Sequence, residues 1–558
     1  MLNRRQFLVT GTGASVWAAS QGSARRIHQM DIIHHTHTDV GYTDTPSVVM
    51  DKQRRFLDAA IDLCIADRDF RWTVESLVIL DDWWKKASAQ RRDQLRRLVH
   101  AGQMDVMALP FNQTPFLNAL QWRQMMEWIP ASLWRELNPT VAMQNDVNGF
   151  PRAGAVALLN RGVRHLLMGL NVDSGGTPFY RPSAFWWKMP NGQRLFVFNG
   201  EHYGRAMTWL DAPRQGLKSD EASVRAAHAR FRKEIDRLQA EGYPHERLIM
   251  TFTHPASYDN GWPYPTLVPF IHTWNKLQLQ PRLRLTTATV AALEFEKLVG
   301  GSIPEMAGEW TDWWANGDAS GPREVAASRV AKRSLAAALS PAFGPVPADA
   351  KPAVEEILRD LCLFDEHTWG ASTSVRAPYE FGTIAQYTEK SELAYRPMAH
   401  AAWLLTRRMR SKIDAMPKGT YVINASSLSF SGWAGEVWVE KLPAHSIQLL
   451  KETREAAPAT PEIRLDGAGW PVSASWPGMK RPLFDSGLAN FLAVEIAPPA
   501  DRRVVNQIHG QPDPAKREEL RRKAIRMRNA DYGPAMKTET PHTVQFTQDI
   551  QHPRIEKG

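Results

Sequence analysis

The chain predicts an α/β fold: an incomplete (β/α)7-type barrel, then a helical bundle and a C-terminal β-sandwich-like domain. Three observations predict it. Short apolar runs alternate with helical periodicity to about residue 290, the rhythm of parallel β/α units. From Glu324 to Ser411 the pattern becomes long helices rich in alanine and arginine, with no strand between them. From Tyr421 onward, alternating patterns and turn residues return. The expected domains are therefore 26–300, 301–415 and 416–558, preceded by a segment 1–25.

That first segment reads as a targeting signal. Asn3-Arg4-Arg5-Gln6-Phe7-Leu8 is a twin-arginine pattern, and the weakly apolar run Leu8 to Ala19 follows it. The run is too short to span a bilayer as a mature helix, so no stable membrane insertion is expected. Cleavage near Ala19 or Ala24 would place the mature chain in the periplasm or beyond it.

The barrel elements follow in order. Ile32-Ile33 ends a first buried strand, and Val48 to Asp67 has helical spacing through Phe56, Leu57, Ala60, Ile61 and Cys64. Phe70 to Glu75 reads as a strand and Leu77 to His100 as one long helix, closed by Gly102. Met104 to Leu109 is a third strand, running into the polar loop Asn112-Gln113-Thr114. A helix from Leu120 to Leu137 is stopped by Asn138-Pro139. The strand Val141 to Gln144 ends in Asn145-Asp146-Val147-Asn148-Gly149-Phe150-Pro151. A helix Ala153 to Arg161 and a strand His165 to Met168 come next. Phe185-Trp186-Trp187 and Val197-Phe198 form a hairpin about Pro190-Asn191-Gly192. The helix Asp220 to Glu241 precedes the strand Leu248 to Phe252, whose end carries His254 and Asp259.

Beyond the barrel, the helical region is interrupted at Leu363-Phe364-Asp365-Glu366-His367-Thr368-Trp369-Gly370, leaving His367 at a helix break. Tyr421 to Ala425, Val437 to Val439 and Ile447 to Leu450 read as strands. Pro514 to Asn529 is a charged run, read as a solvated helix or insertion.

Composition narrows the class. The chain has 558 residues, 43% hydrophobic and 23% charged, as a globular protein with a large core does. The net charge of +9 is spread along the chain without an aromatic-interleaved basic block, so nucleic acid is not an expected partner. Two distant cysteines, Cys64 and Cys362, make no disulfide framework and no thiolate metal site. The 21 tryptophans exceed what a core of this size ordinarily holds, and tryptophan is also a stacking surface for sugar rings.

The chemistry concentrates after the first strand, in His34-His35-Thr36-His37-Thr38-Asp39-Val40-Gly41-Tyr42. His37 and Asp39 are two apart, which turns both side chains to one side of an extended segment. An imidazole nitrogen and a carboxylate oxygen so placed can hold one divalent cation, most naturally zinc. Ligands meet parallel α/β folds at the carboxyl ends of strands, where this segment lies.

Together these residues resemble glycoside hydrolase family 38, the zinc-dependent α-mannosidases, in a divergent bacterial branch. His35-Thr36-His37-Thr38-Asp39-Val40-Gly41-Tyr42 is similar to that family's H-x-H-x-D-x-G-W motif, with tyrosine in place of tryptophan. Gln144 to Pro151 is similar to its nucleophile motif, and Phe185-Trp186-Trp187-Lys188-Met189-Pro190-Asn191-Gly192 to its aromatic hairpin. The resemblance implies that His37, Asp39, Asp146 and His367 hold one zinc ion per chain. It also implies that Asp146 is the nucleophile and Asp259 the general acid, with His254 or Asp44 as alternatives for the acid. The implied partner is a glycan, with the chain a monomer or a simple homo-oligomer.

The reaction makes its own demands. Retaining hydrolysis of a glycoside needs one carboxylate that stays ionised and one that stays protonated. A cation beside Asp146 favours the first, and the acid must stand apart from it. Tyr42, Trp72, Trp187 and Trp262 lie beside predicted strand ends and are candidates for a sugar subsite. Asp312, within Glu309-Trp310-Thr311-Asp312-Trp313-Trp314, is placed at the rim of the same face. Two other readings share these residues: a metal-dependent deacetylase or amidohydrolase, and a carbohydrate-binding protein that has lost its acid.

Overall fold

A computed structural model describes residues 26–450 apart from 172–181, 212–214, 258, 311–313, 316–320, 375–376 and 436. Beyond 450 it describes 462–466, 471–475, 479–482, 494–495, 513, 515–516 and 543–544. The twin-arginine segment, Asp312 and nearly all of the charged run from 514 lie outside the described residues. The chain divides into two units, one of residues 1–330 and 355–398, the other of 331–354 and 399–558. No helix among the described residues is long and apolar enough to cross a membrane.

In the first unit, strands and helices alternate as the sequence predicts. They run β1 (Gln29–His34), α1 (Pro46–Ala66), β2 (Trp72–Val74), α2 (Leu77–Lys86), α3 (Ala89–His100), β3 (Met104–Val106), α4 (Ala119–Met126), α5 (Ala131–Leu137), β4 (Val141–Asp146), α6 (Arg152–Asn160) and β5 (His165–Leu170). The hairpin β6 (Ser183–Lys188) and β7 (Arg194–Gly200) follows, then α7 (Arg205–Leu210), α8 (Glu221–Ala240), β8 (Arg247–Phe252), α9 (Leu267–Lys276), β9 (Arg282–Thr286), α10 (Ala288–Val299) and β10 (Glu305–Ala307).

Local chemistry explains these elements. Pro46 opens α1, where its missing N–H costs nothing, and Val49, Phe56, Leu57, Ala60, Ile61 and Cys64 form its buried stripe. The Asp220 carboxylate caps α8 by accepting from Ser223 N–H. β1 is buried along nearly its whole length and pairs in parallel with β8 and β9, as a strand covered on both faces should.

Three expectations are corrected. The predicted helix Leu77 to His100 is two helices, because Ala87 and Ser88 are extended and the Ser88 hydroxyl caps the second by accepting from Arg91 N–H. The predicted helix Leu120 to Leu137 is also two; α5 restarts after Pro130, whose ring cannot continue a helix interior. The strands form no single barrel ladder among the described residues. They fall into a three-stranded sheet β8-β1-β9, a pair β2-β3 and a five-stranded sheet β10-β6-β7-β5-β4. β2 and β3 have three residues each and offer few ladder positions, although Ala108 N–H still reaches Val141 O beside β4. β9 and β10 carry weaker patterns, and the sequence reading did not name them.

The helical region is α11 (Pro322–Ala338), α12 (Lys351–Phe364) and α13 (Phe381–Ile413), with the Gly-ended break between α12 and α13 as expected. In the second unit, β11 (Tyr421–Asn424) pairs antiparallel with β14 (Ser446–Leu449), and β12 (Phe430–Ala434) with β13 (Val437–Leu442). β15 (Glu462–Leu465) and β16 (Pro471–Ser475) form a third antiparallel pair, and β17 (Val494–Glu495) and β18 (Thr543–Val544) a fourth.

Candidate functional site

The carboxyl ends of β1, β2, β4 and β8 and the α12–α13 break converge in the first unit. His37, Asp39, Asp146 and His367 meet there, all buried, with one ligand-type atom of each within 4.8 Å of the others. His37 Nε2 is 3.2 Å from His367 Nε2 and 3.3 Å from Asp39 Oδ1. His367 Nε2 is 3.2 Å from Asp39 Oδ1 and 3.4 Å from Asp146 Oδ2. A tetrahedral ion with bonds of about 2.0–2.1 Å spaces its donors by about 3.3 Å, so the set is already near the size of such a shell. Asp39 Oδ2 is buried without a hydrogen-bond partner among the described residues, as a group awaiting a cation would be. Two imidazole nitrogens and two carboxylate oxygens fit a divalent metal of intermediate softness.

Each histidine has a carboxylate behind it, hydrogen-bonded at His37 and in ion-pair contact at His367. His37 Nδ1 hydrogen-bonds Glu75 at 3.1 Å, and Glu366 lies 2.7 Å from His367 Nδ1. This leaves both Nε2 atoms facing the cluster, the arrangement that fixes a metal-ligating imidazole. Glu75 also accepts from Thr38 N–H and from the amides of Asn112 and Asn145. Asp146 ends β4 at a φ of 71°, a left-handed conformation that aspartate tolerates at a cost and that gathers at functional sites. Asn171 donates its amide to Asp146 Oδ1 at 2.7 Å and its N–H to Asp146 O at 3.1 Å.

The electrostatics divide the carboxylates into two kinds. Burial opposes ionisation of Asp146, but the His367 contact and the charges of His37, His367 and His202 outweigh it and pull the carboxyl down to about 2. Burial also acts on Asp259, and there the Asp39 and Asp146 charges add to it, lifting the carboxyl to about 7. Asp259 stands outside the four-residue cluster and accepts the Tyr203 hydroxyl at 2.6 Å. Burial disfavours charge on His37 and His367. Glu75 and Asp39 overcome it at His37, and Glu366, Asp146 and Asp39 at His367, so both imidazoles are raised well above their usual value. By contrast, burial holds His34 and His35 down to about 3 and 4, both neutral.

The other sequence candidates separate by exposure. Trp72 and Trp187 are each 3% exposed, which corrects their assignment to a sugar subsite. Trp72 lies edge-on to His34 at 4.7 Å, and Trp187 packs on Trp310 while donating to Gly308 O, so neither offers a face to a ligand. Tyr42 is 39% exposed and Trp262 52%, the latter leaning on Phe56. Of the alternatives for the acid, Asp44 is tied to Lys52 at 2.8 Å and its carboxyl is lowered, although slight burial opposes this. His254 is lowered by burial, and its Nδ1 accepts from Ala256 N–H.

Sequence reasoning missed Glu75, Tyr203, Asn171 and Glu366, and named Trp314 only as part of the cluster that held Asp312. Tyr203 stacks on His37 at 4.1 Å, and Trp314 donates its indole N–H to His367 O at 2.7 Å. Glu75 and Tyr203 follow strand ends, and Glu366 adjoins His367, so position gave a usable signal for these three.

Comparison with known proteins is consistent with this geometry. The family described as glycosyl hydrolases family 38 N-terminal domain matches residues 27–308, just over half of the chain. An alpha-mannosidase from Enterococcus faecalis V583 is similar in structure, with a TM-score of 0.53 at 15% identity, covering 73% of this chain and 46% of that one. A second Enterococcus faecalis protein, in glycosyl hydrolase family 38, has a TM-score of 0.47 at 15% identity and covers 73% and 44%. The chain thus spans under half the length of these solved relatives, and their likeness concerns the fold. No curated protein matches the chain.

Proposed function

The chain belongs to glycosyl hydrolase family 38, and from that premise we propose that it is a zinc-dependent retaining glycoside hydrolase acting on α-mannosides or related glycans. The observation that carries the reading is the opposed environment of two nearby carboxyl groups. Asp146 is kept ionised among histidines, and burial and neighbouring charge lift Asp259 to about 7, so that it keeps its proton below neutral pH. These are the two states that a nucleophile and a general acid must have at the same pH.

His37, Asp39, Asp146 and His367 would hold the zinc, which when bound supplies a Lewis acid for neighbouring sugar hydroxyls. Asp146 attacks the anomeric carbon as the glycosidic bond breaks, and Asp259 gives its proton to the departing oxygen. Deprotonated Asp259 then takes a proton from water, and that water releases the sugar from Asp146. The Tyr203 hydroxyl holds Asp259 in place through both steps. Of the aromatic candidates, Tyr42 and Trp262 are the ones exposed among the described residues and would face a sugar ring. The twin-arginine segment makes the periplasm, or secretion, the proposed location.

Hydrolysis of a panel of aryl α- and β-glycosides, with and without a zinc chelator, tests the reading. Turnover of the α-mannoside that is lost on chelation and restored by zinc is expected. Turnover that survives thorough metal removal would sink the metal role. Sugar binding without turnover at any pH would favour a carbohydrate-binding protein. Amide hydrolysis without glycoside turnover would favour the amidohydrolase reading.

A further inference from the structure

We propose that Lys390 is a positioning residue for the metal centre: its buried ammonium fixes Glu366, which in turn holds both the His367 imidazole and the backbone beside Asp39. The proposal rests on reading the four-residue cluster as a cation site.

Lys390 lies on α13 and is only 7% exposed, unusual burial for a lysine. Its Nζ donates to Leu363 O at 2.9 Å, to Glu366 O at 3.2 Å and to Glu366 Oε2 at 3.1 Å. Three acceptors match the three protons of an ammonium, and all lie in the segment leading into His367. Glu366 is itself fully buried. One oxygen faces His367 Nδ1 and accepts from Val40 N–H at 3.4 Å, and the other accepts from the Thr368 N–H and hydroxyl.

The two carboxylates therefore bracket Asp39. Glu75 takes the N–H of Thr38 before it, and Glu366 takes the N–H of Val40 after it. Their own supports differ. Glu75 is steadied by the amides of Asn112 and Asn145, whereas Glu366 has a lysine. Without the ammonium that grips Glu366 Oε2 and the Glu366 carbonyl, nothing on the α13 side would hold this buried carboxylate in place, and it would swing away. That movement releases His367 Nδ1 and the Val40 amide together, so the metal shell would loosen at two ligands.

The test is metal affinity of the full chain, by competition for Zn2+ with a chromophoric chelator, and the visible absorption of the Co2+ form. Lys390→Met is expected to bind Zn2+ about 10–100-fold more weakly and to show an altered Co2+ spectrum at saturation. Lys390→Arg, which keeps the charge, should recover most of that loss. Because Lys390 acts through Glu366, the double variant Lys390→Met/Glu366→Gln should bind no more weakly than Glu366→Gln alone. Wild-type affinity in Lys390→Met, or losses that multiply in the double variant, would overturn the proposal. Should the methionine variant not fold, the proposal falls if Glu366→Gln keeps wild-type affinity and Co2+ spectrum. A wild-type chain that takes up neither Zn2+ nor Co2+ overturns the metal reading as a whole, an outcome distinct from a lysine without effect.

Discussion

Near the start of β1, Asp31 is fully buried, and Arg284 gives it two hydrogen bonds, at 2.7 and 2.9 Å. Arg247 stands 3.7 Å away, and both arginines share Glu294. Just past the end of the same strand, the carboxylates of Asp39 and Asp146 crowd two imidazoles, and Asp39 keeps an unpartnered oxygen. The first region matches each buried charge with its opposite, so that losing one partner would strand the other. The second sets two carboxylates, one of them on a left-handed aspartate, around two imidazoles whose Nε2 atoms face each other, an arrangement of the kind that gathers at functional sites. One strand thus serves as a structural tie at one end and a reactive site at the other.

Substitutions can break that contrast, and the largest effect belongs to the reactive end. Asp146→Asn should lower turnover of an aryl α-mannoside by roughly 10⁴-fold or more, because it removes nucleophile and ligand together. Its thermal stability in chelator should fall at neutral pH, because the histidine contacts that hold the carboxyl at about 2 are lost, and calorimetry would check it. Asp259→Asn should cost about 10²–10⁴-fold. It should also erase the alkaline limb of the pH–rate profile. Asp259 must carry its proton, so wild-type rate is kept below about 7 and lost as pH rises through it. A bound cation offsets the Asp39 and Asp146 charges, so the loaded enzyme should show that limb at or below this value. An alkaline limb unmoved in the asparagine variant would assign the acid elsewhere.

At the structural end, Arg284→Met should destabilise the fold by about 2 kcal/mol, less than breaking a fully buried pair because Arg247 remains beside Asp31. Its kcat should stay that of wild type, and a denaturation curve run beside an activity assay would read both. The smallest expected change sharpens the comparison within the site. Gly169→Ala puts a Cβ 2.2 Å from Asn145 Oδ1, forcing Asn145 off Glu75. Metal affinity should fall about tenfold, measured by chelator competition.

The alternation of strands and helices was legible because a buried parallel strand and an amphipathic helix leave distinct periodicities, as β1 and α1 do. The splits at Ala87-Ser88 and Pro130 were less visible, since apolar spacing continues across both and only the caps mark the break. At the site, His37 and Asp39 declared themselves by spacing; Asp146 stood out at a strand end and His367 at a helix break, but their roles as ligands entered only through family resemblance. Trp72 and Trp187 misled because a tryptophan near a strand end looks the same whether its ring faces the core or solvent. Lys390 left no trace, because a lone lysine on a long helix reads as a solvated face until the fold turns it inward.

The distance along the chain between the two ligand histidines has a consequence for assembly. His37 and His367 are 330 residues apart, yet their ring nitrogens touch. An ion shared between them would act as a fastener closing a loop of that length, and the chain could not unravel without surrendering it. Free metal at a hundredfold over Kd would then add about 2.7 kcal/mol to folding. The melting temperature of this protein would become a gauge of the zinc around it. If the proposed site holds its metal, a chain made where that metal is scarce would be easier to digest.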